Sequence, residues 1–196
     1  MPHLCKDPIV AAGHILGGIQ TYSARFVNPK DPVVISVTKI QAGSDAYNVI
    51  PRTCSLGGTF RCFSHELRNT IPKQLTETIQ NIAAGFGVKA TVKFNEKGFP
   101  PTINHERQAR KAYRAAIKTV GESSVTQSCA PSMGAEDFSQ MLEKREGCYV
   151  FLGAGENYSP LHHPKYDFND DLLPVGAELF VNMAMESLEE DIQISS

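Results

Sequence analysis

Between residues 101 and 196 one stretch reads as a β-strand, the apolar run Cys148-Tyr149-Val150-Phe151-Leu152 followed by Gly153-Ala154-Gly155. That solitary run constrains the fold more than any other feature. A continuous apolar strand suits the middle of a sheet covered on both faces. A single strand has no ladder partner and is unstable by itself. Its surroundings are helical in pattern. Asn104 is expected to cap a helix with Ala109, Ala112, Tyr113, Ala116, Ile117 and Val120 on one face, stopped by Gly121. Residues 135–145 are expected to form a short helix using Phe138, Met141 and Leu142. Pro174 opens a last helix with a stripe of Leu173, Ala177, Val181, Ala184 and Leu188. Leu179, Phe180 and Met183 widen that stripe, which predicts burial on more than one side. Residues 100–196 are therefore expected to be an incomplete part of a larger α/β unit.

The first half differs in character. Asp7-Pro8 is a helix start, an N-cap carboxylate followed by Pro at the first helical position. Ile9, Ala12, Leu16 and Ile19 then recur at helical spacing, predicting a helix over 8–24. Val33 to Ile40 is β-branched and reads as a strand. A loop through Asn48-Val49-Ile50-Pro51 leads to a second strand near 54–63, with Leu56, Gly58, Phe60 and Cys62 on one face and Thr59 and Arg61 on the other. Ser64 caps a helix with Ile71, Leu75, Ile79, Ile82 and Phe86 in one stripe, ended by Gly87; Pro72 lies awkwardly early in it. Ala90, Val92 and Phe94 alternate as a third strand. The order helix-strand-strand-helix-strand is a split βαβ arrangement lacking its first strand, and Pro100-Pro101 closes it. Residues 1–99 and 100–196 are thus expected to be two domains.

Composition excludes several partners. The 196 residues carry 41% hydrophobic and 20% charged side chains with a net charge of −2, which is no footprint for nucleic acid. No apolar run approaches the roughly 20 residues that span a bilayer, and no basic-then-apolar segment opens the chain. The five cysteines are odd in number and lack CxxC spacing. They read as reduced thiols, so a cytoplasmic location is expected.

The candidate site residues each have two readings. His162, in Leu161-His162-His163-Pro164-Lys165-Tyr166-Asp167-Phe168-Asn169-Asp170, is either a metal ligand in a loop or an exposed loop histidine; His163 suits the second role better. Glu136 and Asp137, in Met133-Gly134-Ala135-Glu136-Asp137-Phe138, either favour a helix dipole or face a pocket. Arg61, in Gly58-Thr59-Phe60-Arg61, is either a surface arginine or a bidentate carboxylate binder. Asn48 is either a turn residue or a polar binding group. There is no Gly-rich phosphate loop, GxSxG elbow or HExxH helix.

These segments, with Asp7-Pro8-Ile9-Val10-Ala11-Ala12, occur in an order that resembles the peptidase/amidohydrolase family of auxin-conjugate hydrolases, hippurate hydrolases and N-acyl-L-amino acid amidohydrolases. The resemblance runs to about Glu190. It implies an α/β catalytic domain holding one or two divalent metals (zinc, manganese or cobalt) and an inserted ferredoxin-like lid that often dimerises. Residues 1–99 match the lid, lacking its first strand. Residues 100–196 match the C-terminal part of the catalytic domain. His162 falls on the family's last metal ligand, Asn48 and Arg61 on lid positions near the substrate carboxylate, and Met133 and Gly134 on a pocket-lining segment. The implied substrate is an N-acyl or aryl-acyl amino acid, and the implied partner a second copy. The family's Cys-Gly-His-Asp motif, its Glu-Glu pair with the general base and a further His have no counterpart here. The chain alone is thus expected to be an inactive fragment. The rival expectation is a non-catalytic dimerisation module or the product of a split or decayed gene.

Overall fold

The computed structural model describes residues 1–95, 98–127 and 129–195, with side chains described as far as Glu189. The fold is mixed α/β and divides into two compact units. The first comprises Met1–Pro101 with Met133–Ala135, and the second Thr102–Ser132 with Glu136–Ser196.

The first unit is built on helix α1 (Pro8–Arg25), strands β1 (Val33–Ala42) and β2 (Cys54–Cys62), and helix α2 (His65–Gly85). Asp7 caps α1, its carboxylate accepting from the amides of Ile9 at 2.8 Å and Val10 at 3.4 Å. β1 and β2 pair antiparallel, Val33 opposite Cys62 and Ala42 opposite Cys54, with an irregularity between Val37 and Lys39. Gly58 lies at that point because a Cβ there would sit 2.2 Å from the Ser36 carbonyl oxygen. Ser64 caps α2 through the Leu67 amide, and the helix runs unbroken through Pro72. Gly87, at φ 68°, ends that run.

Ile15, Ile19 and Tyr22 of α1, Val27, and Ile71, Leu75 and Ala83 of α2 form the core against one face of the hairpin. Val33, Ile35 and Val37 of β1 and Leu56 and Phe60 of β2 supply that face. The alternation read from the sequence is thus the one that is buried.

The expected third strand is a difference. Ala90 and Phe94 pack on the core, and Phe94 meets Phe60 edge-on with ring centroids 5.9 Å apart. Yet the segment is in no ladder, and the sheet among the described residues has two strands. Side-chain burial alone places a segment beside a sheet; joining it takes a free backbone edge within hydrogen-bond reach.

The second unit holds α3 (Glu106–Val120), the short α4 (Phe138–Leu142) and α5 (Leu172–Ser195). Ala112 and Ala115 of α3 are buried, and α3 packs along α5. Glu186 of α5 is buried and accepts from Arg114 Nε and Lys118 Nζ, both at 2.6 Å. The stripe expected to be buried on α5 is displaced. Leu173, Ala177, Val181, Ala184 and Leu188 are exposed, while Val175, Leu179, Asn182, Met183 and Glu186 face inward. The helix is apolar nearly all round, so periodicity could not choose a face. Among the described residues, no helix is long and apolar enough to cross a membrane.

Cys148–Leu152 is likewise not in a ladder. Asn104, expected as a helix cap, does something else: His105 is the N-cap of α3. Asn104 Nδ2 donates to the Tyr149 carbonyl at 2.8 Å, and its Oδ1 accepts from the Tyr149 amide at 2.7 Å. The side-chain amide thereby satisfies both backbone groups that a neighbouring strand would otherwise pair.

Candidate functional site

Alternation along β2 turns Arg61 to the sheet face opposite Phe60. Its Nη1 donates to the Met133 carbonyl at 2.7 Å in a partly buried bond. This links the two sequence segments that the motifs singled out, Gly58–Arg61 and Met133–Phe138. A guanidinium carries five N–H donors, so a bond to Met133 leaves donors that can meet a carboxylate. Arg61, Met133 and the adjoining Gly134 therefore cluster within the first unit.

Asn48 does not join them. It lies exposed in the loop between β1 and β2, beyond the Cys54 end of β2. Arg61 sits at the other end of that strand, about 20 Å away at the usual rise per residue. Asn48 and Arg61 thus lie toward opposite ends of the hairpin. The sequence placed Asn48 in the loop leading to the second strand and Arg61 on that strand; local pattern does not tell how far apart the two lie.

Glu136 is the residue that sequence reasoning undervalued. It lies outside any helical turn, since α4 begins after it. Its Oε2 accepts from the Tyr149 hydroxyl at 2.9 Å and its Oε1 from the Phe138 amide at 3.3 Å. The Tyr149 phenol, and after it the Phe138 N–H, hold the Glu136 carboxyl below the usual carboxylate range. The same bond, followed by partial burial, raises the Tyr149 phenol. Nothing in the sequence spacing of residues 136 and 149 signals this pair.

His162 and His163 are both exposed, and their backbones differ. His162 is the one residue other than glycine with positive φ among the described residues, at 69°. Such a conformation is uncommon for a residue with a Cβ and costs about 1–3 kcal/mol. His163 is committed to the turn. Its Nδ1 accepts from the Lys165 amide at 3.1 Å, and its carbonyl accepts from the Tyr166 amide at 2.9 Å. Asn169 Nδ2 donates to the Ala154 carbonyl at 3.2 Å, tying this loop to the glycine-rich turn after Leu152.

Among the described residues, no group of three or more His, Cys, Asp or Glu side chains is placed to hold a metal ion. A hydrolytic metal site takes about three protein ligands and a water. The donors described here do not make up that set, and His162 is a single imidazole.

Comparison with known proteins defines the class. Residues 6–186 match Peptidase family M20/M25/M40, and the chain belongs to that family. It is 32% identical over 191 residues to an N-acetylcysteine deacetylase of Bacillus subtilis, covering 96% of this chain and 48% of that protein. It is 32% identical to an IAA-amino acid hydrolase of Arabidopsis thaliana, covering 97% of this chain and 44% of the relative. Among solved structures it is similar to a dinuclear metal-binding peptidase of the M20 family from Bacillus subtilis, with a TM-score of 0.71 and 33% identity over 93% of this chain and 46% of that one. The chain thus spans just under half the length of these relatives.

Proposed function

We propose that this chain contributes the carboxylate-recognition element and one metal ligand of a metal-dependent amidohydrolase that cleaves the amide bond of N-acyl amino acids. The observation that carries the reading is the Arg61–Met133 bond, set beside the family match over residues 6–186. It unites two motifs distant in sequence around a group shaped to bind a carboxylate. The names of the relatives, a deacetylase of N-acetylcysteine and a hydrolase of IAA-amino acids, fit a substrate with a free amino-acid carboxylate.

In this reading Arg61 orients the substrate carboxylate beside Met133 and Gly134. Asn48 contacts ligand from the tip of the hairpin, apart from Arg61 of the same chain. His162 is one ligand to a zinc, manganese or cobalt ion, and its left-handed backbone supports that role over His163. The described residues do not complete the metal's ligand set, so no hydrolytic step is assigned to them. Residues 1–99 form a ferredoxin-like lid, a reading supported by the packing of Ala90 and Phe94 on the core beneath the hairpin. The lid pairs with a second copy, and residues 100–196 belong to the catalytic domain. The 196 residues by themselves do not turn substrate over.

The test is complementation. The chain is co-expressed with the N-terminal segment of the Bacillus subtilis N-acetylcysteine deacetylase and assayed with hippurate and N-acetyl amino acids. Arg61→Ala is expected to raise KM at least tenfold for these substrates and to leave their carboxamide analogues unchanged. Equal effects on acid and carboxamide would refute the assignment of Arg61 to the carboxylate.

A further inference from the structure

The tip of the hairpin is a shaped loop. The last ladder pairs are Gln41 opposite Ser55 and Ala42 opposite Cys54. Gly43, at φ 79°, then turns the chain out of β1. The Ser44 hydroxyl accepts from the Ala46 amide at 3.4 Å, and the Ala46 carbonyl accepts from the Val49 amide at 3.2 Å. Pro51 fixes the backbone just before Arg52. The loop and the ladder end border a hollow of about 460 Å³. Small-molecule sites typically measure about 300–1,000 Å³.

Among the described residues, Arg52 is the one charged side chain lining this hollow. Its guanidinium has no hydrogen bond or ion pair to another described residue. Asp45, the carboxylate of the same loop, does not line the hollow. Gln41, Thr53 and Ser55 add an amide and two hydroxyls to the lining, and Val49 and Pro51 add apolar surface. A cation among neutral donors selects an anion and repels a cation. The planar guanidinium fork matches the two oxygens of a carboxylate. A single positive charge balances a monoanion, and the apolar wall suits a ligand with an apolar substituent.

We propose that the hollow at the tip of the β1–β2 hairpin binds a small carboxylate that carries an apolar group, with Arg52 as the partner of the carboxylate. The site lies beyond the Cys54 end of β2, whereas Arg61 lies toward the other end of that strand. It stands apart from the reading of Arg61 and goes beyond it.

The experiment uses the full 196-residue chain. Hippurate, its neutral carboxamide and inorganic phosphate are titrated separately, and the backbone amides of Gly43, Thr53 and Ser55 are followed by NMR. Hippurate is expected to shift these amides saturably. The carboxamide and phosphate are each expected to bind at least tenfold more weakly. Arg52→Gln is expected to weaken hippurate at least tenfold, with Arg52→Lys intermediate because it keeps the charge and loses the fork. Arg61→Ala is expected to leave the affinity at the tip within about twofold, as for a site distant from it. The comparison of hippurate with its carboxamide is made on the wild-type chain, so it holds whatever the variants do to folding. Absence of a saturable shift at the tip would overturn the proposal. So would equal affinity for the carboxamide, phosphate bound as tightly as hippurate, unchanged binding in Arg52→Gln, or loss of the tip shifts in Arg61→Ala. A failure of the Arg61 assignment would appear in the KM comparison above and leave this titration standing.

Discussion

Arg61 Nη1 and the Met133 carbonyl meet at 2.7 Å although the two residues are 72 positions apart in sequence. Met133–Ala135 belongs to the first unit, and the chain on either side of that tripeptide to the second. A charge-assisted bond of this kind is worth about 1.5–3 kcal/mol net when partly shielded. Arg61→Ala is expected to lower the urea midpoint of the first unit by a corresponding amount, with Arg61→Lys intermediate. The lysine retains charge but not the planar fork. Identical midpoints for wild type and alanine variant would mean that solvent replaces the bond without loss.

Gly58 gives a sharper test of the hairpin. Its missing Cβ would lie 2.2 Å from the Ser36 carbonyl oxygen and 2.9 Å from Val37 Cα, both backbone atoms that cannot rotate away. Gly58→Ala should cost about 1–3 kcal/mol, in the range for overpacking. Gly13 in α1 is the control, since a Cβ there meets nothing within 4 Å. Gly13→Ala should be neutral or stabilise by up to about 1 kcal/mol through helix propensity. Chemical denaturation of the two variants side by side checks both signs.

Acid should weaken the α3–α5 contact. Lys118, then Arg114, hold the Glu186 carboxyl below its ordinary range. A carboxylate lowered in the folded state contributes its full stability above the unfolded value of about 4.3 and loses it as pH falls through the folded value. Lys118 is raised chiefly by the same bond, so its share holds below about 10.4 and is lost as pH rises through its raised value. Wild type should therefore exceed Glu186→Gln in stability at pH 7 by more than it does at pH 3, as read from urea midpoints. A difference independent of pH would show that shape, not charge, accounts for Glu186.

Local signals were legible in the sequence where they are self-contained. Asp7-Pro8 predicted the start of α1, and the residues themselves make that cap. The alternation that sets Leu56 and Phe60 on one side of β2 gave its core-facing side because a strand's period is set by its own backbone. The strands expected at 90–94 and 148–152 are in no ladder. Pairing depends on a second segment, and here Asn104 side-chain bonds replace a ladder at Tyr149. The inward face of α5 was hidden by its excess of apolar residues. At the candidate site, Arg61 and the Met133 segment were both singled out. The bond joining them, and the Glu136–Tyr149 anchor, are tertiary contacts with no spacing signature.

The central claim is that this chain brings His162 to a metal in an amidohydrolase. The most direct measurement is bound metal per chain in the complemented enzyme, quantified for wild type, His162→Ala and His163→Ala together with hydrolysis of an N-acetyl amino acid. His162→Ala is expected to lose metal and activity at least tenfold, because removing one ligand opens the site. His163→Ala is expected to keep most of both, since its ring nitrogen is engaged by the Lys165 amide. Equal losses in the two variants, or greater sensitivity at His163, would contradict the account.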